Sequence, residues 1–411
     1  MRSLLESFQT KRYPGQFWLM VAGMLISTIG ASMIWPFLMV YVSGQLNLPL
    51  MVVSSLMTIN SAAGLVSSLI VGPIIDRLGR KWAMVISLGL LGGMYLLYTQ
   101  AHTYAAFAAL MVLSGAINPL YRVGADAMVA DLIPEDKRLD AYAIMRMSNN
   151  LGVAVGPALG GFIASSSYTV AFLSAATGMV TYSLLLTFFA RETLPAHLPE
   201  TNQAAPTRER FGGYNIIFKD RPFMGFIFAL ILGQMCATMV WVLMAVYLKA
   251  NFGILEREFG WIASTNAIMV VTLQVYVTNI TKRYPSLPVL AVGVLLYAVS
   301  MFMISLSTGF WGFWISMVVL TFGELTLVPT ANAYTARRAP AHMRGRYMSI
   351  FGLTWGISHG VGAVLGGLLN DTLGPIFIWI GAGIIALVGF AFLLYLMRVE
   401  RREAQTTAPL P

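Results

Sequence analysis

The sequence predicts an all-α polytopic membrane protein whose twelve transmembrane helices form two six-helix halves. The prediction rests on an apolar composition, on twelve apolar runs of membrane-spanning length and on an internal repeat. Of the 411 residues, 57% are hydrophobic and 10% are charged, whereas about 25% are charged in an ordinary soluble domain. The mean hydropathy is +0.73. No soluble class of protein fits these values.

Each apolar run is long enough for one membrane helix, because about 20 residues span a hydrocarbon core of roughly 30 Å. The first run is too long for the apolar region of a signal peptide and lacks a small-residue cleavage site, so we expect a retained helix. Numbered as spans 1 to 12, the runs lie near 17–41, 50–74, 82–100, 104–129, 141–164, 168–190, 223–248, 260–281, 288–307, 311–335, 347–369 and 375–397.

A polar stretch between spans 6 and 7 predicts a linker. Its proline-containing beginning is typical of a flexible segment, and residues 214–220 suggest a short interfacial helix. Residues 403–411 are predicted to be a disordered tail. The predicted domains are the first half at 1–190, the linker at 191–221, the second half at 222–398 and a cytoplasmic tail at 399–411.

Lysine and arginine are sorted by membrane side. With a cytoplasmic N-terminus, 22 of the 26 lie in cytoplasmic segments, whereas Lys249 and Arg257 lie opposite and Arg122 and Arg146 fall within spans. This asymmetry predicts that both termini are cytoplasmic and that the protein lies in the cytoplasmic (inner) membrane. The net charge of +9 therefore indicates topology and not a nucleic-acid-binding patch.

An internal repeat relates the two halves at an offset of 206 residues, without gaps. Six helices return the chain to its starting side, so the repeat predicts two halves in the same orientation, related about an axis along the membrane normal. The offset superimposes Trp35 on Trp241, Tyr41 on Tyr247, Asn60 on Asn266, Arg138 on Arg344 and Gly156 on Gly362.

A charged loop separates spans 2 and 3. It reads Gly72-Pro-Ile-Ile-Asp-Arg-Leu-Gly-Arg-Lys81, and so many charges between two spans place it at the water interface. Gly79 permits the left-handed turn that a short reversal needs, and Gly72 permits close helix approach. The loop resembles the signature of the major facilitator superfamily, Gly-x-x-x-Asp-Arg-x-Gly-Arg-Lys. The matching positions are Gly72, Asp76, Arg77, Gly79, Arg80 and Lys81.

The resemblance implies a transporter with alternating access, and it implies a gating role for this loop. In that family the loop ties span 2 to the helices behind it when the cavity faces outward. The alternative is a basic loop that only orients the chain. The equivalent place in the second half has Thr278, Lys282 and Arg283 but neither the acid nor the glycines, which predicts the stronger latch in the first half.

Span 5 carries a stripe of glycines. Glycines four residues apart leave a flat strip on which another helix lies closely, and Pro157 permits a kink. Packing alone explains such a stripe, but with Pro157 it also resembles the family's antiporter motif, which is typical of exporters that exchange drugs for protons. Span 11 repeats the glycines but has Ala363 in place of the proline. The predicted gating residues of span 5 are Arg146, Gly152, Gly156, Pro157, Gly160 and Gly161.

Ionisable side chains inside a bilayer are costly, and each is a candidate for function. Glu324 lies near the middle of span 10 with no base within a turn. Burial disfavours its charged form, so Glu324 is either a proton carrier or a neutral carboxyl held by a hydrogen bond between helices. His359 is either its proton partner or a packing residue. Arg122 and Asp126, at i and i+4 on span 4, are candidates for proton coupling or for an interfacial salt bridge.

The resemblance implies that spans 1, 2, 4, 5, 7, 8, 10 and 11 line the substrate path. Arg146 and Asn149 are predicted at its cytoplasmic mouth, or as partners of Asp131 or Asp76. An interhelical hydrogen bond explains the repeat-related pair of asparagines equally well. The predicted substrate-binding residues, all polar or aromatic, are Trp35, Tyr41, Asn60, Asn118, Asn149, Gln234, Trp241, Asn266, Gln274, Asn332 and Trp355.

The leading functional prediction is proton-coupled export, by antiport, of small amphipathic or drug-like compounds. The alternative is a proton-coupled symporter that takes up a sugar or another small metabolite. A membrane enzyme is not expected, because the four histidines are scattered and no metalloprotease or phosphate-binding motif occurs. The expected partners are the substrate, protons and the lipid bilayer. We expect a monomer and no cofactor, metal or nucleic acid; the one cysteine, Cys236, excludes an intrachain disulfide.

Overall fold

A computed structural model of the chain describes residues 13–194, 214–340 and 343–406, and twelve long helices account for most of them. The predicted all-α plan is therefore confirmed. The helices are α1 (Gly15–Leu46), α2 (Leu50–Leu78), α3 (Arg80–Tyr98), α4 (Tyr104–Leu132), α5 (Arg138–Ala164), α6 (Tyr168–Phe189), α7 (Arg221–Phe252), α8 (Glu256–Thr281), α9 (Ser286–Leu306), α10 (Phe310–Arg338), α11 (Arg344–Leu373) and α12 (Phe377–Thr406).

Eleven of these helices are long and apolar enough to cross a membrane, within the described part of the chain. The exception is α5, whose first half carries Arg146, Asn149 and Asn150. A 3-10 turn at Trp35–Phe37 interrupts α1, because Pro36 has no backbone N–H to donate to the helix.

The helix ends differ from the sequence-based bounds mainly at the C-terminus. The last helix continues to Thr406, so the prediction of disorder is wrong for residues 403–406, and 407–411 lie outside the described residues. A short helix, Tyr214–Lys219, forms where one was expected. The flexible beginning of the linker, at 195–213, and the basic N-terminal tail, at 1–12, also lie outside the described residues.

The chain divides into two compact units. Unit 1 contains the described residues of 1–48, 56–196 and 248–271, and unit 2 contains those of 49–55, 197–247 and 272–411. The first turns of α2 thus belong to unit 2, and the beginning of α8 belongs to unit 1.

In unit 1, α1 packs against α5 and α6, and α3 packs against α4 and α6. The fully buried side chains of Phe17, Met20 and Tyr182 lie in its core. The ring of Tyr182 occupies the place where a side chain at Gly23 would be. A glycine in α1 therefore makes room for the largest buried ring of this core.

In unit 2, α9 packs against α10 and α12. The contact with α10 runs through two glycines, and a Cβ atom on Gly293 would lie 3.1 Å from the carbonyl oxygen of Gly323. The indole of Trp379, on α12, is fully buried. As in unit 1, small residues let the backbones of two membrane helices approach closely.

The glycine stripe of α5 packs against α1. A Cβ atom at Gly152 would lie 2.7 Å from the Cβ of Thr28, and one at Gly156 would lie 2.9 Å from the carbonyl oxygen of Ile29. At Gly160 the backbone of Met33 occupies the same place. The predicted close approach is confirmed, and each position accepts hydrogen alone.

We expect Gly160→Ala to destabilise the protein by about 1–3 kcal/mol, the usual cost of overpacking. The added methyl group meets the Met33 backbone, which has no rotamer by which to move aside. The matched control is Gly93→Ala in α3, where nothing lies within 4 Å of the added atom and helix propensity favours alanine. Thermal unfolding of both variants in detergent checks the prediction, and equal midpoints contradict it.

Candidate transport pathway and gates

The turn between α2 and α3 consists of one residue, Gly79, with a φ of +91°. That value lies in the left-handed region, so the predicted role of Gly79 is confirmed. A Cβ atom there would also collide with the carboxylate of Glu192. The expected close helix approach at Gly72 is wrong, because nothing lies within 4 Å of a Cβ atom at that position.

Arg80 is the centre of the charged network at this turn. Its Nε lies 3.1 Å from Oδ2 of Asp131 on α4, and its Nη1 lies 3.4 Å from Oδ1 of Asp76 on α2. The Arg80 side chain is 11% exposed and that of Asp76 is 59% exposed, so the pair with Asp131 is the better shielded of the two. The hydroxyl of Thr193 donates to the same Oδ2 of Asp131 at 3.1 Å.

Glu192, just beyond α6, caps the N-terminus of α3. Its carboxylate accepts hydrogen bonds from the backbone N–H of Arg80 at 2.9 Å and of Lys81 at 3.1 Å. The ammonium of Lys81 in turn donates to the carbonyl oxygen of Thr187 on α6 at 2.8 Å. A carboxylate at a helix N-terminus is favoured by the helix dipole. The loop thus ties α2, α3 and α4 to the chain after α6.

Sequence reasoning missed Glu192 and Thr193. The one available signal was that both directly follow a span whose end lies on the side of the 72–81 loop. The alternative that Asp76 and Asp131 pair with Arg146 is wrong, because Arg80 holds both. Arg146 is exposed on α5.

At the opposite end of unit 1, the beginning of α8 packs on α5 and α6. The backbone of Glu256 fills the place of a side chain at Gly161, and a Cβ atom on Gly260 would lie 2.5 Å from the Pro157 carbonyl oxygen. Oε1 of Glu256, whose side chain is 3% exposed, lies 2.5 Å from Nζ of Lys249 and accepts a 2.5 Å hydrogen bond from the hydroxyl of Tyr168.

Unit 2 has the repeat-related contact between α11 and the first turns of α2. A Cβ atom at Gly367 would lie 2.6 Å from the Cα of Met51. The carboxylate of Asp371 accepts hydrogen bonds from the backbone N–H of Leu50 at 3.1 Å and of Met51 at 2.8 Å. Asp371 therefore caps α2, much as Glu192 caps α3. It was not among the predicted site residues.

One face of α4 is polar and exposed. Asn118, Arg122 and Asp126 lie four residues apart on it. Charged side chains in a membrane span face water or protein and not lipid, so this face is a candidate wall of a water-accessible path. The expected ion pair is not formed, because no nitrogen of Arg122 lies within 4 Å of an Asp126 oxygen. The hydroxyl of Tyr142 donates to the Asp126 carbonyl oxygen at 2.9 Å.

Glu324 lies half-buried on α10, where it interacts electrostatically with the buried Tyr297 of α9. Nδ1 of His359 lies 3.4 Å from the hydroxyl of Thr238 on α7 and 3.2 Å from the carbonyl oxygen of Trp355. The imidazole also stacks on the Trp355 indole, with ring centroids 5.3 Å apart. Proton sharing between Glu324 and His359 stays a prediction.

Several predicted substrate-binding residues are hydrogen-bonded to backbone or side-chain groups, which favours a structural role for them. Nδ2 of Asn60 donates to the Met111 carbonyl oxygen at 3.0 Å and to the Ser114 hydroxyl at 2.9 Å, and Asn266 is buried. The others donate or accept as follows: Asn149 accepts from the Thr28 hydroxyl at 3.3 Å, Gln274 donates to the Leu325 carbonyl oxygen at 3.1 Å, Asn332 to Val328 at 2.9 Å and Tyr41 to Tyr98 at 3.3 Å.

Two of the three tryptophans among the predicted substrate-binding residues are more exposed than the hydrogen-bonded asparagines and glutamine. Trp35 is 39% exposed on α1 and Trp355 is 51% exposed on α11, while Trp241 is partly buried on α7. Oε1 of Gln234, two turns before Trp241 on the same face of α7, is buried without a hydrogen-bond partner in the described residues. These side chains have the capacity to stack on a flat ligand and to accept a hydrogen bond from it.

A second charged cluster lies in unit 2 around Asp220, which precedes α7. Arg338 donates to its two carboxylate oxygens at 3.1 and 2.7 Å, the Tyr347 hydroxyl donates at 3.0 Å and the Phe223 N–H at 3.2 Å. Burial raises the pKa of the Asp220 carboxyl, but these hydrogen bonds outweigh it, so the pKa lies below the ordinary value of 3.8.

Twelve long helices in two repeated sets, with charged turns and a polar helix face, define a polytopic membrane protein of the transporter type. The family model of the Major Facilitator Superfamily matches residues 20–247 and 226–411. The chain therefore belongs to that superfamily, and the predicted family is confirmed.

Relatives and solved structures agree with this assignment over most of the chain. A Na(+), Li(+), K(+)/H(+) antiporter of Planococcus maritimus is 29% identical, over 92% of this chain and 94% of its own. The multidrug resistance protein MdtH of Yersinia pestis is 23% identical, over 95% and 96%. A crystal structure of the nucleoside transporter NupG superimposes with a TM-score of 0.80 at 12% identity, over 93% and 100%, which shows the shared fold.

We expect Asp220→Asn to lower the free energy of unfolding by roughly 2 kcal/mol at neutral pH, because hydrogen bonds to a charged group are lost. The lowered pKa means that the unfolded chain binds a proton on Asp220 more readily than the folded one. The contribution is thus complete above the ordinary pKa of 3.8 and is lost as the pH falls through the lower folded-state value. Unfolding midpoints in detergent between about pH 7 and pH 3 check this, and a difference from the unaltered protein that does not shrink in acid contradicts it.

Proposed function

We propose that the protein exports small amphipathic or drug-like compounds in exchange for protons, by alternating access. The observation that carries the proposal is the α5 stripe, in which Gly152 to Gly161 include Pro157 and pack against both α1 and the first turns of α8. The stripe therefore meets the first turns of α8 through backbone atoms and not through interlocking side chains, which suits an interface between helices that move relative to one another. The relatives named as multidrug resistance proteins support drug-like compounds as the substrate class.

The carboxylates within the spans carry the protons. Glu324 is the leading carrier, because it is a half-buried carboxyl within α10 and ionisable groups inside a membrane span are costly unless they have a function. Asp126 and Arg122, on the exposed face of α4, are the second candidates. Each would take up a proton on one side of the membrane and release it on the other as substrate is exchanged.

The charged and glycine-mediated contacts at the two ends of the helices act as the gates. At one end, Arg80 with Asp131 and Asp76 holds α2, α3 and α4 together. At the other, Glu256 holds the beginning of α8 and Asp371 holds the beginning of α2. Alternating access requires that the contacts of one end open while those of the other are closed.

Exchange of monovalent cations for protons is a second candidate. The relative from Planococcus maritimus is named for that activity and is 29% identical. Carboxylate oxygens are the ligands that such ions need, and Asp126 is exposed on α4. In both candidates the protein is a monomer in the cytoplasmic membrane with both termini in the cytoplasm, as the distribution of bases supports.

The proposal is tested on purified protein in liposomes that contain a pH-sensitive dye. We expect an amphipathic cation such as ethidium to drive proton movement, and Glu324→Gln to abolish that movement while ethidium still binds. The matched control is Glu135→Gln, the same chemical change at an exposed turn. Proton movement with Na+, Li+ or K+ alone favours the second candidate, and a sugar that moves protons favours symport. Undiminished exchange in Glu324→Gln contradicts the role of that carboxyl.

Gating by the 72–81 loop predicts a graded series of variants. We expect Asp76→Asn to slow turnover by roughly two- to fivefold, because an exposed pair contributes little. The better shielded Asp131→Asn should slow it by about tenfold or more. Substrate affinity should change little in either, since neither carboxylate belongs to the predicted binding set. Asp140→Asn, at an exposed position of α5, is the control. Turnover and substrate affinity are measured separately for each variant. A large loss of substrate affinity in Asp76→Asn contradicts the gating role and indicates that the loop binds substrate.

A further inference from the structure

A cavity of about 570 Å³ opens in unit 2 where α9 begins and α10 ends, beside the last third of α12. Its walls include Ser286 and Leu287 of α9, Arg337 of α10, and Met397 and Glu400 of α12. Most of its surface is apolar. Because one membrane helix begins here and another ends here, the cavity lies at the boundary between lipid and water.

The two arginines in the wall of the cavity differ in their partners. Arg338 is paired with Asp220 at 2.7 Å and with Glu400 at 3.7 Å, and Oε1 of Glu400 also accepts a 2.8 Å hydrogen bond from Tyr334. Arg337, in contrast, donates to the neutral hydroxyl of Ser286. Arg338 thus has two carboxylate partners, whereas within the described residues no carboxylate lies in ion-pair contact with Arg337.

The internal repeat shows what occupies the same place in unit 1. Ser286 and Arg337 are the repeat equivalents of Arg80 and Asp131, and the two contacts correspond, Arg80 with Asp131 and Arg337 with Ser286. In unit 1 a carboxylate of the chain, that of Glu192, accepts from the first N–H groups of α3.

Within the described residues of unit 2, no carboxylate caps the N-terminus of α9 in this way. The residue equivalent to Glu192 is Arg398, and it is exposed. Because α12 continues as a helix where α6 has ended, its backbone does not turn back over the start of α9. Pro285, the N-cap residue of α9, provides no side-chain cap either. Where unit 1 places the carboxylate of Glu192, the described part of unit 2 has a cavity and an arginine without an ion-pair partner.

We infer that this cavity binds the headgroup phosphate of an anionic phospholipid of the surrounding membrane. The guanidinium of Arg337 offers the planar fork that matches a phosphate, and Ser286 and Leu287, which carry the first two N–H groups of α9, lie at the same wall. Leu287 and Met397 provide an apolar wall for the glycerol and the first acyl carbons. Basic pockets between helices at a membrane surface suit such headgroups. The bound phosphate would accept hydrogen bonds at the start of α9, as the carboxylate of Glu192 does at the start of α3.

The test uses the full-length protein in detergent and measures its unfolding midpoint during titration with lipid. We expect phosphatidylglycerol to raise the midpoint, whereas digalactosyl diacylglycerol, which has no phosphate, and inorganic phosphate do not. Arg337→Gln should weaken the apparent affinity for phosphatidylglycerol by about tenfold. The matched control, Arg283→Gln, removes the same charge at an exposed position outside the cavity wall and should change the affinity less than about twofold.

A second variant keeps the inference testable if Arg337→Gln fails to fold. Ser286→Asp places a carboxylate beside Arg337, which restores the charge pair of unit 1 with its signs exchanged. We expect it to raise the midpoint without lipid and to remove the response to phosphatidylglycerol. Equal losses of affinity for phosphatidylglycerol in Arg337→Gln and Arg283→Gln overturn the inference, because they indicate diffuse attraction between the lipid and a basic surface. A response to the galactolipid or to inorganic phosphate as large as that to phosphatidylglycerol overturns it as well.

Discussion

Close approach of helix backbones at glycine is the interaction on which the rest of the structure depends. Lipid chains are as apolar as leucine, so membrane helices gain little by hiding apolar side chains from lipid and associate instead by close packing. The stripe of α5 meets α1 at Gly152, Gly156 and Gly160, and the repeat-related glycines of α11 meet α7. Each stripe ends at one more glycine, Gly161 or Gly367, which receives the first turn of a further helix.

The two ends of the helices are held by different chemistry. At the 72–81 turn, an arginine shared by two carboxylates joins three helices, and one of its two pairs is open to water. At the other end, contacts are made by backbone groups and by carboxylates that are buried or bonded to helix N-termini, as at Glu256 and Asp371. Salt and water weaken the first kind more than the second, which makes the 72–81 turn the end more easily opened by changes in solvent.

The repeat also shows how equivalent positions diverge. In unit 1 the N-terminus of α3 is capped by Glu192, a residue that reaches it because the chain leaves the helix after Phe189. In unit 2 the helix continues, and the positions equivalent to Glu192 and Asp131 hold Arg398 and Arg337. Asp220 compensates in part by holding Arg338. One half thus completes its charged end within its own chain, and the other leaves a positive charge at the membrane surface.

The sequence by itself determined the class of fold, the number of long helices, the turn at Gly79 and the packing role of the α5 glycines. Each follows from a local rule, because hydropathy sets a span, a single glycine sets a left-handed turn and a four-residue spacing sets a helix face. Partner choice was decided by the tertiary structure. Arg80 takes Asp131 where Arg146 was a candidate, Gly72 faces open space, and Glu192 and Asp371 cap helices that begin more than 100 residues away. Such contacts join positions with no fixed spacing along the chain, so only the folded backbone brings them together.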